Sequence, residues 1–157
     1  MKKTVCILFI LILSCKYIYA QSANNKNVTC DLELITEVPY LPELSGDSIY
    51  WNMVIQGKSI IPSLIKNLSN IEMTLIPIPN YGKNYCIGDI AFSILCKIIH
   101  NIPIKEFILK NKSYPITEET TYLSFVNYNK RRNRSFLKKQ INQCIVLSLF
   151  RPIKAIS

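Results

Sequence analysis

Aliphatic residues in the first half of the chain recur at spacings of three and four, which predicts two consecutive helices. The first passes through residues 49–55, and either Ser45 or Asp47 can cap its start. Gly57 interrupts the pattern, and a second helix follows over about residues 59–68. The second helix presents a clean apolar stripe, formed by Ile60, Ile61, Leu64, Ile65 and Leu68.

A third helix is the clearest in the chain and opens at Gly88-Asp89, with its apolar stripe continuing to residue 99. Pro103 ends it, and residues 104–109 predict a short further helix. Residues 71–86 carry two prolines and a glycine, so they predict a long loop with room for a short extended piece at 73–76.

The last element, from about residue 122 to residue 149, predicts one long amphipathic helix. Asn129 and Asn133 interrupt its apolar face, and its cations fall mostly on the opposite side. The residues of the apolar face are Tyr122, Phe125, Val126, Leu137, Ile141, Cys144, Ile145 and Leu149.

The N-terminal segment has the pattern of an export signal, because Lys2-Lys3 precedes an apolar run too short to cross a bilayer. Cleavage after Ala20 would release a mature chain of 137 residues. An alternative is a bacterial lipobox ending at Cys15, which would then carry lipid, and a third is an uncleaved anchor. The sequence thus predicts a periplasmic or secreted protein, or a lipoprotein anchored at Cys15.

Composition favours a mainly α fold, since glycine is scarce and Ile, Leu and Lys are abundant. We expect a small single-domain helical bundle with a HEAT-like helix pair, long loops and little or no strand. The predicted organisation is a signal peptide at 1–20, a flexible or irregular leader at 21–45 and one α-helical domain at 46–157. The length suffices for one modest core.

Charge is distributed unevenly along the chain, whose net formal charge is +9. Residues 130–157 contain eight cations and no acid, whereas residues 21–129 contain eight lysines and ten acids. The cationic cluster near the start of the last helix is therefore the main candidate for binding an anionic partner. A solvated helix face is the competing interpretation. The candidate residues are Lys130, Arg131, Arg132, Arg134, Lys138 and Lys139.

Four cysteines remain after the predicted signal, and an even number in an exported chain permits two disulfides. The candidates are Cys30, Cys86, Cys96 and Cys144. Free buried thiols are the alternative, because Cys96 and Cys144 fall on apolar faces. A zinc site is disfavoured, since the sequence has no C-x-x-C pair and a single histidine.

Two stretches resemble the paired helices of a HEAT-type repeat, namely residues 60–70 and residues 87–99. The whole pattern is also similar to a family of small, uncharacterised bacterial proteins. It shares with them an I-P-x-L-I helix at 61–65, a G-D-I-A helix at 88–91 and a Tyr-Leu-x-Phe-Val segment at 122–126. The resemblance implies a helical fold, and it implies no activity, cofactor or catalytic residue.

No catalytic motif stands out. His100 ends a helix beside Asn101, a position typical of an exposed residue interacting with the helix dipole. The adjacent carboxylates Glu118-Glu119 lie in a polar loop and predict a solvated turn. We therefore expect an exported, non-enzymatic interaction module without a cofactor or metal. Its partner would be a protein or an anionic membrane surface, and nucleic acid is disfavoured.

Two alternatives remain open at this point. The protein can be membrane-associated, either through lipid on Cys15 or through the basic face over residues 130–139, with no transmembrane helix in the mature chain. It can also be a hydrolase or a hydrolase inhibitor, although no catalytic set can be named.

Overall fold

The computed structural model describes residues 29–39, 46–117 and 120–150. Within these ranges the protein is mainly α-helical, with one small antiparallel sheet, which confirms the predicted fold class. The elements in chain order are α1 (Thr29–Leu34), α2 (Ser48–Gln56), a 3-10 turn (Gly57–Ile60), α3 (Ile61–Asn67), β1 (Met73–Pro77), β2 (Asn84–Cys86), α4 (Ile87–Ile98), α5 (Ile104–Leu109), α6 (Tyr122–Tyr128) and α7 (Lys130–Phe150).

Helix α4 is the centre of the core, and α1, α2, α3 and β2 all pack against it. Its apolar stripe is fully buried at Ile90, Ala91, Ile94 and Leu95, as the sequence spacing predicts. Burying such aliphatic side chains stabilises the fold by about 1.5–3 kcal/mol each. The α4 helix is therefore the scaffold on which the other elements are positioned.

The start of α4 approaches the end of α3 closely, and Gly88 permits this approach. A Cβ atom at Gly88 would lie 2.7 Å from the carbonyl oxygens of Leu68 and Asn70. The Gly88 amide instead donates to the Asn70 carbonyl at 3.0 Å. This glycine thus fixes where Asp89, the next residue, enters the core.

The predicted helices over 49–55, 59–68, 88–99 and 104–109 are present as α2, α3, α4 and α5. Asp47 is the observed cap of α2, because its side chain accepts from the Tyr50 amide at 2.8 Å. The extended piece expected at 73–76 is β1.

Three expectations are corrected. Residues 29–34 of the predicted irregular leader form helix α1. The long loop contains a second strand, β2, which pairs with β1 across a turn in which Asn80 and Gly82 have positive φ. The last element is also not one helix. Asn129 (φ −143°, ψ 89°) breaks it, and the Asn129 side chain accepts from the Arg132 amide at 3.3 Å, capping α7.

Candidate functional site

A buried ion pair joins the centre of the fold to the last helix. The Arg134 guanidinium on α7 donates from Nη1 to Oδ1 of Asp89 on α4 at 2.8 Å. Arg134 is only 2% exposed and Asp89 only 4% exposed. A buried pair of this kind is costly to break, because either partner alone would leave an uncompensated charge in a low-dielectric interior.

Other polar groups surround this pair. The Tyr122 hydroxyl accepts from Arg134 Nη1 at 3.1 Å, and the Tyr122 ring stacks on Phe92 with centroids 3.8 Å apart. Oδ2 of Asp89 accepts from the Cys86 amide at 3.1 Å and from the Cys86 thiol at 3.2 Å. The cluster therefore connects β2 and α4 to α6 and α7, and Arg134 lies 45 residues from Asp89 in sequence.

Burial and charge together set the protonation of these groups. Burial and the neighbouring Asp89 charge raise the pKa of the Cys86 thiol to about 11 and raise the pKa of Tyr122 well above its ordinary value. Burial alone would lower the pKa of Arg134, but Tyr122 and Asp89 outweigh it and hold that pKa above its ordinary value. At neutral pH the thiol and phenol are neutral, and the guanidinium is charged.

The hydrogen bonds of this cluster point to a structural role, which is to hold the helices together. Each oxygen of Asp89 accepts a hydrogen bond from within the protein. In the described part of the chain, Arg134 Nε is a buried polar atom with no hydrogen-bond partner. Asp89 and Tyr122 also line one side of a cleft of about 280 Å³, together with Tyr85, Phe92 and Lys97.

The remaining cations of the predicted patch lie on the outside of α7. Lys130, Arg131, Arg132 and Lys139 are exposed, and Lys138 is half-buried. Among the residues that the structure describes, the sole ion pair is Asp89–Arg134, so none of these five cations is paired with a carboxylate. We call Lys130, Arg131, Arg132, Lys138 and Lys139 the basic face.

Two residues of the basic face are held by neighbouring elements. Lys138 Nζ donates to the Lys66 carbonyl at 2.8 Å, at the end of α3. Arg132 donates to the Ser113 hydroxyl at 3.0 Å, in the loop after α5. Lys130, Arg131 and Lys139 have no hydrogen bond to another polar side chain in the structure as described, and they face solvent.

Arg134 departs from the prediction that it belongs to this patch. It lies on the inner face of α7, in line with Leu137 and Ile141, both of which are buried. The burial of Arg134 could have been inferred from the sequence. Arg134 stands three and seven residues before two apolar residues of the same stripe, and Asp89 stands within the apolar stripe of α4. An acid and a cation on facing apolar stripes indicate a buried pair.

Three of the four candidate disulfide cysteines lie among the residues whose side chains the structure describes. Cys86, Cys96 and Cys144 are free thiols. Cys86 is enclosed in the cluster around Asp89, and burial raises the pKa of Cys96 to about 11. The side chain of Cys30 lies outside the described residues, as do Cys15, the predicted signal and both cleavage alternatives.

The other candidate groups do not assemble into a site. His100 is exposed in the turn after α4, and the Glu118-Glu119 pair lies outside the described ranges. Within those ranges there is no group of His, Cys, Asp or Glu residues suited to a metal ion. Trp51 packs against the core, and the Lys97 ammonium lies 5.8 Å from the centre of its ring. No described helix is long and apolar enough to cross a membrane.

Comparisons with protein-family models, curated proteins and solved structures found no match to this chain. The likeness to a HEAT-type hairpin and to small bacterial proteins therefore stays a prediction from the sequence. In the structure α3 and α4 contact each other, and the chain that connects them contains the β1–β2 hairpin.

Proposed function

We propose that this protein is an exported, non-enzymatic interaction module that binds an anionic partner through the basic face of α7. The observation that carries the proposal is the division of cations on this helix. Arg134 is neutralised by Asp89 in the interior, whereas the five cations of the basic face have no carboxylate partner among the described residues. Unpaired cations clustered on one helix attract anions by summed Coulomb interaction.

The fold supports this assignment by holding the helix rigidly. The Asp89–Arg134 pair holds the inner side of α7 against α4. The Lys138 side chain, near the middle of α7, donates a hydrogen bond to the end of α3. A rigid helix presents its outward cations without the ordering cost that a flexible segment would have on binding. Export belongs to the proposal because Lys2-Lys3 and the apolar run after it have the pattern of a signal peptide.

The test uses an immobilised polyanion, heparin, and compares two variants with equal net charge. Lys130→Gln/Arg131→Gln/Lys139→Gln removes three outward cations of α7 and leaves the hydrogen bonds of Arg132 and Lys138 intact. Lys58→Gln/Lys105→Gln/Lys110→Gln removes three exposed lysines from other elements. We expect the native protein and the second variant to elute at high salt, and the first variant to elute much earlier. Equal elution of the two variants would show that binding follows net charge and not the basic face.

A lipid anchor on Cys15 is compatible with this function and would hold the protein at a membrane. Intact mass of the processed protein distinguishes the two predicted starts. A chain beginning at Gln21 corresponds to cleavage after Ala20, and a lipid-sized excess on a chain beginning at Cys15 corresponds to the lipoprotein.

A further inference from the structure

Strand β1 exposes an unusual amount of apolar surface. Leu75 is 94% exposed and Met73 is 49% exposed, and Pro77 at the end of the strand is exposed as well. Exposure alternates along the strand even though its pairing with β2 is irregular between Met73 and Pro77: these three residues are exposed, whereas Thr74 is half-buried and Ile76 is buried. We call Met73, Leu75 and Pro77 the apolar row.

The apolar row adjoins the basic face. The Lys130 ammonium lies 3.9 Å from the Met73 sulfur, at the start of the row. At the other end the chain turns back, and the Ile78 amide donates to the Lys83 carbonyl at 2.7 Å. Lys83 and Tyr81 are both exposed in that turn. The apolar row therefore runs between Lys130, at the start of α7, and Lys83 in the hairpin turn.

We propose that the apolar row and the adjoining basic face together bind the surface of an anionic membrane. Charge complementarity is the first argument, because cations beside an apolar surface match phosphate head groups above an acyl layer. The second argument is the exposure of Leu75, since a large aliphatic side chain in water on an edge strand is unfavourable unless something covers it. Tyr81 adds a ring of the type enriched at membrane interfaces.

This inference rests on the proposed function and narrows its partner to a lipid surface. The acids nearby set a limit on the attraction. Glu33 and Glu72 are exposed and line the groove of about 350 Å³ between α1 and β1. Their charge opposes an anionic surface, so Glu72→Gln is expected to strengthen binding by up to about fivefold, the effect of one charge near a membrane.

Co-sedimentation of the processed protein with phosphatidylserine-containing and pure phosphatidylcholine vesicles tests the inference. Met73→Ser/Leu75→Ser should weaken binding to the anionic vesicles about tenfold or more, because insertion of the row is lost. Ile55→Ser is the matched control, since Ile55 is 80% exposed on α2, and it should bind as the native protein does. Salt at about 1 M should release most of the protein, because charges more than about 3 Å apart are then largely screened from each other.

Three other results would overturn the inference, and they separate it from the proposed function. If Met73→Ser/Leu75→Ser binds the anionic vesicles like the native protein, the apolar row is outside the interface. If the native protein binds heparin but no vesicle, the partner is an anionic macromolecule and the lipid assignment is wrong, while the proposed function stands. If the native protein binds neither heparin nor vesicles, the proposed function fails as well.

Discussion

Arg131 and Arg134 lie three residues apart on α7, and their surroundings could hardly differ more. Arg131 is exposed and has no carboxylate partner among the described residues, whereas Arg134 is buried and contacts both Asp89 and Tyr122. Residues three apart on a helix are offset by only about 60° around its axis, so Arg134 lies within the buried stripe of α7 and Arg131 lies just past its edge. The comparison shows that helix position decides whether a cation of this basic cluster is buried in the fold or left exposed to solvent.

The largest expected effect is the loss of stability when the inner cation is removed. Arg134→Met should lower the free energy of unfolding by about 3–5 kcal/mol, because it leaves the Asp89 carboxylate buried without its counter-charge. Arg131→Met should change it by no more than about 0.5 kcal/mol. Urea unfolding followed by circular dichroism measures both.

The double variant Asp89→Asn/Arg134→Met sharpens this difference. It removes both charges, and the amide oxygen of Asn can still accept from the Cys86 amide, so the double variant should lose less than the sum of the single losses. Additive losses would mean that Asp89 and Arg134 act independently, which would contradict the buried ion pair between them.

An intermediate effect is expected at Tyr122. Tyr122→Phe removes the hydroxyl that accepts from Arg134 Nη1 and keeps the ring stacked on Phe92, so it should cost about 1–2 kcal/mol. Tyr128→Phe is the control, because Tyr128 is 64% exposed and lies outside the buried cluster around Asp89. Thermal unfolding of the two variants compares them directly, and equal stability would remove Tyr122 from the polar cluster.

A smaller effect, and one that depends on pH, is expected at Asp47. Partial burial alone would raise the pKa of Asp47, but hydrogen bonds from the amides of Thr36, Tyr50 and Glu37 and from the Thr36 hydroxyl hold it below its ordinary value. The folded state therefore favours the carboxylate. This contribution is complete above the ordinary aspartate pKa of about 3.9 and is lost as the pH falls through the lower folded value.

Asp47→Ala should cost about 1 kcal/mol at neutral pH, because it removes the cap of α2. In acid the native protein should lose stability toward that of the variant. Unfolding measured from neutral pH down to about pH 2 follows the difference between them, which should narrow at low pH. A difference that is constant with pH would show that the charge of Asp47 has no role.

Among the residues of the buried cluster around Asp89, the smallest effect on stability is expected at Cys86. Cys86→Ser should change the free energy of unfolding by less than about 1 kcal/mol, since a serine hydroxyl can donate to the same acceptors, Asp89 Oδ2 and the Asn70 carbonyl. Burial and the Asp89 charge raise the pKa of the thiol to about 11, so alkylation near pH 8 should be slow until the protein is unfolded. Rapid alkylation of the folded protein would contradict the enclosed cluster.

Helices α2, α3 and α4 were predictable from the sequence because their apolar residues follow a helical period over about two turns or more, whereas α1 was missed within the predicted leader. Strand β2 was not predictable, since three residues are too few to show a period, and only the turn residues Asn80 and Gly82 mark it. The break at Asn129 was also missed. The apolar spacing continues across it, and the cap that Asn129 forms on α7 depends on backbone geometry.

The candidate site was predictable in part. Five of the six cations proposed for the patch are outside the core, because the polar side of an amphipathic helix faces water. The sixth, Arg134, needed Asp89 to be recognised as its partner, and 45 residues separate the two in sequence. The apolar row of β1 could not be found by pattern alone, since the exposure of Leu75 depends on which face of the small hairpin packs inward.

The central claim is that the outward cations of α7 bind an anionic partner. The most direct test compares how two variants with equal net charge bind anionic vesicles at low salt. Lys130→Gln/Arg131→Gln/Lys139→Gln should bind about 100-fold more weakly than the native protein, since each of three cations near an anionic membrane contributes about fivefold. Lys58→Gln/Lys105→Gln/Lys110→Gln should bind within a few-fold of the native protein. Equal binding by both variants would contradict the claim that the outer cations of α7 form the binding face.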